Sequence, residues 1–81
     1  MTAPSYLSGS FDLGDWHIDR YEPANDNEPR EVHIVATNDT HTDKRIVIVP
    51  LFHPNHFGLD IDDVTAIDVA VEELLADLGL T

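Results

Sequence analysis

Two imidazoles stand three residues apart in the run His53-Pro54-Asn55-His56, and Asp39, His41 and Asp43 alternate in a second polar run. Histidine and carboxylate sets of this kind hold zinc and related metals. The two runs flank the apolar segment 44–52, so a strand there puts them at opposite ends, and Pro54 lies between the two imidazoles. No metal set and no cofactor is therefore assigned. His17 and His33 lie on strands among neighbouring acids. A nearby carboxylate favours the imidazolium, so both read as ion-pair partners rather than catalytic bases. Ser8 and Ser10 lack the G-x-S-x-G context of a nucleophile elbow, and the four glycines are scattered, with no phosphate loop. Phe11, Trp16 and Tyr21 could stack on bases, but without cations around them they read as core. A chain of 81 residues has little room to enclose a pocket. The residues point to no reaction, and the expectation is a protein that is not an enzyme.

The elements that would position these groups follow from periodicity. Residues 1–9 read as a loose terminus, with Tyr6 and Leu7 as possible anchors. In 10–22, Phe11 and Leu13 alternate with Asp12, and Trp16 and Ile18 alternate with His17 and Asp19. Period two marks half-buried strand. Gly14-Asp15 between the pairs fits either a tight hairpin or a bulge. Residues 31–37 form a strand with Val32, Ile34 and Ala36 on one face. Residues 44–52, apolar on both faces, read as the most buried strand, with Pro50 at its end or on an edge. The last block reads as a helix over 60–78. Val64, Ile67, Val71, Leu74, Leu75 and Leu78 make one stripe, Asp60 is the N-cap, Leu59 and Val64 are spaced for a hydrophobic staple, and Gly79 follows as C′. The expected fold is α+β: residues 1–81 form one domain, with three or four antiparallel strands in 10–52 and one C-terminal helix packed on one face of the sheet.

Charge narrows the class of partner. Sixteen acids against four bases give a net charge of −12. Phosphates would be repelled, which excludes direct nucleic-acid binding, and an anionic membrane surface is disfavoured as well. No stretch is apolar for long enough to span a bilayer, and residues 1–15 lack the basic start and apolar core of a signal peptide. Without cysteine there is no disulfide, and a cytoplasmic location is expected. The charge is unevenly spread. Residues 10–31 carry seven acids and two arginines, net −5; residues 32–59 carry two acids and two bases, net zero; residues 60–81 carry seven acids and no base, net −7. Along residues 60–77 that is one carboxylate per about 4 Å of helix, close to the roughly 3.4 Å phosphate spacing of a DNA strand. Asp68 and Glu72 share one flank of that helix, and Asp62, Glu73 and Asp77 lie toward the other. Asp12, Asp15 and Asp19 form a second acidic patch.

A small chain without cysteine, strongly acidic, with a short sheet and a capped acidic helix, resembles the inhibitors encoded by phages and mobile elements. Anti-CRISPR proteins and DNA-mimic anti-restriction proteins are the nearest in type. The likeness spans the chain and is one of size, charge and element type. It implies a stoichiometric inhibitor, monomer or weak dimer, that occupies the basic nucleic-acid-binding surface of a host defence complex. The rival reading is a structural or interaction module, such as a virion, toxin-neutralising or salt-adapted domain. It would bind through the neutral hairpin 31–52, whose strand edge can pair with another chain.

Overall fold

The computed structural model describes residues 3–38, 40, 42–51 and 59–80. Four strands, β1 (Tyr6–Leu13), β2 (Trp16–Glu22), β3 (Glu31–Asn38) and β4 (Asp43–Pro50), precede one helix, α1 (Ile61–Asp77). The strands form an antiparallel meander in the order β1-β2-β3-β4. This is the expected α+β architecture. No helix among the described residues is long and apolar enough to cross a membrane.

Gly14 and Asp15 form the two-residue connection of a hairpin in which Leu13 faces Trp16. Gly14 has φ +60 and Asp15 is not left-handed, the pattern of a type II′ turn. The open choice between hairpin and bulge thus resolves as a hairpin at this position. A bulge does occur, but at the other end of β1, where Leu7 faces Tyr21 and Gly9 faces Arg20, leaving Ser8 as the extra residue. The Ser8 hydroxyl accepts from Arg20 Nε at 3.0 Å and donates to the Arg20 carbonyl at 3.2 Å, which ties the bulge to β2.

β1 starts at Tyr6, inside the segment that reads as a loose terminus in the sequence. Pro4 is buried, and Ser5 donates both its backbone N–H and its hydroxyl to the carboxylate of Glu28. Glu28 also accepts from the Ala24 amide at 2.7 Å. The bond from Ala24 is the strongest of these influences, and with the bonds from Ser5 it holds the Glu28 carboxyl below its ordinary value.

Alternation sets the two faces of the sheet. Val32, Ile34 and Ala36 of β3 are fully buried under the helix, with Ile18 opposite Ala36 and Val49 opposite Val32. Ile67 and Leu74 of α1 close the core, and Trp16, Val47, Val71, Leu75 and Leu78 pack around it. β4 is not the most buried strand. It is an edge strand, and Ile46 and Ile48 are each 53% exposed on the face that α1 leaves open. A single helix covers one side of a sheet, so apolar residues on both faces of β4 cannot all be buried.

The helix ends are built as their residues require. Asp60 caps the N-terminus, its carboxylate accepting from the Asp63 amide at 3.0 Å while the Asp63 carboxylate accepts from the Asp60 amide. This is a capping box with Asp in the place usually held by Glu or Gln. Asp63 is consequently buried, while Val64, expected in the apolar stripe and as half of a staple, is 42% exposed. At the other end Gly79 has φ +74, its amide bonds to the Ala76 carbonyl, and the Leu80 amide bonds to the Leu75 carbonyl. That pairing is a Schellman motif, and it folds Leu80 back against the β1–β2 turn, where its Cδ2 lies 3.3 Å from the position of a Cβ on Gly14.

Candidate functional site

Five of the seven carboxylates in 60–77 are exposed: Asp62, Asp68, Glu72, Glu73 and Asp77. Asp60 and Asp63 are withdrawn into the capping box. Over the same length of helix the presented spacing is one charge per about 5 Å rather than about 4 Å, wider than the roughly 3.4 Å of a nucleic-acid strand. The pattern comes from the core stripe. With Ile67 and Leu74 pointing at the sheet, residues 68 and 72 emerge on one flank and 62, 73 and 77 on the other. Exposed Val69 sits between the two flanks. No basic residue stands in the last turn, so Asp77 lies at the negative end of the helix dipole without an opposing charge on α1.

Asp68 and Glu72 also border a groove of about 540 Å³ between α1 and the β1–β2 half of the sheet. Gly9, Phe11, Ile18, Ile34 and Val71 line it, and Arg20 is its one cation. Arg20 Nε is bonded to Ser8 Oγ, as above, and lies 3.5 Å from the Glu22 carboxylate. The groove exists because β1 extends the sheet beyond the helix, leaving Phe11 and Leu13 exposed on the helix side. Of the aromatic residues read as core, only Trp16 packs against it; Phe11 is exposed and Tyr21 is half-buried on the open face.

The second acidic patch divides. Asp15 is exposed in the β1–β2 turn. Asp12 and Asp19 lie on the open face, opposite the side that carries α1, and both are engaged by His17. His17 Nδ1 is 2.6 Å from Asp12 Oδ1, and Nε2 is 2.9 Å from Asp19 Oδ1. The Ser10 hydroxyl donates to Asp19 at 2.8 Å and lies 3.1 Å from His17 Nε2. The hydrogen bond to Asp12 is the strongest influence on His17. With the charges of Asp19 and Asp12 it outweighs partial burial and lifts the imidazole above its usual value of 6.5. The helix acids and the pair Asp12 and Asp19 therefore occupy opposite sides of the sheet and do not form one surface.

Serine, histidine and aspartate in contact invite comparison with a hydrolytic triad. The proton inventory separates the two. A general base needs Nε2 free to take the serine proton, whereas here Asp19 occupies Nε2 and also accepts the Ser10 proton. The cluster is an imidazole held between two carboxylates, with an acceptor at each ring nitrogen. Sequence reading placed His17 among neighbouring acids but did not bring in Ser10, because the residues are up to nine apart. Folding the chain about Gly14-Asp15 finds it, since Asp12 then faces His17 and Ser10 faces Asp19.

Elsewhere on the open face, His33 Nε2 is 2.8 Å from Glu31. Among the described residues no group of three or more histidines and carboxylates is placed to hold a metal ion. The positions Asp39, His41, His53 and His56 lie outside the described residues, and Asp43 is exposed at the start of β4. Comparison of the chain with protein-family models, with curated proteins and with solved structures finds no match.

Proposed function

We propose that this chain is a small, non-enzymatic acidic inhibitor of the anti-CRISPR or DNA-mimic type. It binds the basic nucleic-acid-binding surface of a host defence protein in the host cytoplasm and blocks DNA or RNA by competition. The observation that supports the reading most is the set of five exposed carboxylates on the two flanks of α1, without a base on the helix to neutralise them. Carboxylates pair with the Lys and Arg side chains that otherwise hold phosphates, and a concentrated negative field speeds the encounter. Asp68, Glu72, Glu73 and Asp77 form the main contact, with Asp62 at the N-terminal end. Asp12, Asp15 and Asp19 contribute at the periphery, since two of them already compensate His17. The chain itself binds neither nucleic acid nor membrane.

The test is recovery of partners from a host lysate at about 0.1 and 0.5 M salt, using wild type and the double variant Glu72→Lys/Glu73→Lys. Wild type is expected to retain a nucleic-acid-binding protein at the lower salt and release it at the higher. The double variant, folded by circular dichroism, retains none. Partner binding that is insensitive to both salt and charge reversal would overturn the electrostatic reading.

A further inference from the structure

The two edges of the sheet are not equivalent. β1 is interrupted by the Ser8 bulge, which discourages pairing with another strand. β4 pairs with β3 without a break from Asp43 to Pro50, and Ile46, Val47, Ile48 and Val49 form an unbroken β-branched run along its edge. The Leu51 amide bonds to the Arg30 carbonyl at 3.0 Å, so Leu51 points toward β3. Alternation in an antiparallel ladder then directs the N–H and C=O of Val49, Val47 and Arg45 inward and those of Lys44, Ile46 and Ile48 outward. Those three outward residues are evenly spaced about Ile46. Pro50, next in the series, has no N–H and ends the template.

From this we infer that β4 is a homodimer edge, on which a second copy of the chain adds its own β4 antiparallel to make an eight-stranded sheet. A two-fold axis perpendicular to the sheet puts Ile46 of one copy opposite Ile46 of the other, and Lys44 opposite Ile48. This register leaves Pro50 out of the bonded pairs, whereas a shift that sets Lys44 opposite Pro50 sacrifices a donor at each end. On the open face the exposed isoleucines of both copies then make one apolar strip, bordered by the aliphatic stems of Lys44.

Electrostatics select a second copy as the occupant. β4 carries Asp43 against Lys44 and Arg45 and is the one described strand or helix without a net negative charge, so two strongly acidic molecules meet there with the least repulsion. Arg45 faces the helix side of the sheet, opposite Ala36, and stands at the seam. The axis keeps both α1 helices on that same side of the joined sheet, and within each copy α1 packs against β4.

The inference makes a prediction of opposite sign to the binding of a basic partner. Two helices of like charge near the seam repel, so the dimer strengthens as salt rises, whereas the acidic helix releases a basic partner. Sedimentation equilibrium of the full chain from about 10 µM to 1 mM, at roughly 0.05 and 0.5 M salt, reads this directly. Wild type is expected to dimerise, more tightly at the higher salt. Ile46→Lys places like charges opposite each other on the axis, and Ile48→Pro removes an outward N–H that the monomer does not use. Each weakens the dimer about tenfold or more, with far-UV circular dichroism unchanged. A wild type that stays monomeric throughout, or a dimer indifferent to both substitutions, overturns the inference. A Glu72→Lys/Glu73→Lys variant that loses its basic partner yet still dimerises separates the two activities.

Discussion

Asp77→Lys tests the placement of charge on α1 most directly. Asp77 is the last helical residue, exposed, and adjacent to the Leu78 C-cap where the chain leaves the helix. A carboxylate there opposes the helix dipole and an ammonium complements it, each by about 0.3–1 kcal/mol. Glu73 lies one turn earlier, so a like-charged pair becomes an opposite pair in the favourable order, a change of about 0.4–1 kcal/mol. The upper sum approaches 3 kcal/mol, but screening at an exposed site brings the expected gain to about 1 kcal/mol. For a domain of this size that corresponds to a rise in melting temperature of about 4–8 °C. Thermal melts by circular dichroism near 20 mM and near 0.5 M salt measure it, with the gain largest at low salt. An unchanged or lowered melting temperature at low salt, or a gain that persists undiminished at high salt, refutes the reasoning. If the helix is read by a basic partner, the same substitution weakens that binding while it stabilises the fold.

The remaining expectations concern the whole fold, the His17 network and the core. Wild-type melting temperature rises between low and moderate salt as the repulsion within a chain of net charge −12 is screened; a fall over that range would contradict this. His17 titrates above 6.5, so the stability it contributes is complete below that pH and is lost as pH rises through the folded value. An NMR titration follows this, and Asp12→Asn should draw the midpoint back toward 6.5. Ile67→Ala empties a fully buried site between α1 and the sheet, at a cost of about 2–5 kcal/mol by urea denaturation; a loss below about 1 kcal/mol would mean the helix does not close the core.

β3 was legible because every second residue is buried, and a local period of two reports that directly. The helix caps were legible because Asp60 and Gly79 are single residues whose chemistry suffices. β4 was misjudged because its burial depends on strand order. Ile46 and Ile48 look the same in sequence whether a neighbour or solvent lies beyond them. Val64 was misplaced because the capping box turns Asp63 inward, a local bond that overrides the apolar stripe. Of the site, the exposed helix acids follow from periodicity alone. The division of Asp12 and Asp19 from them does not, because it requires the hairpin register and the side on which α1 settles.

β1 contributes no residue to the buried cluster; its partner β2 contributes Ile18. Its attachment consists of the ladder to β2, the Arg20 clasp on Ser8, the His17 network and the Ser5–Glu28 bonds at its start. β1 is thus a unit that can open while Ile18, the β3–β4 hairpin and α1 remain folded. Its amides should exchange with solvent hydrogen well before those of β3. Opening would widen the groove at Arg20 into a cleft bounded by α1 and the bared edge of β2, exposing a second strand template for as long as the excursion lasts.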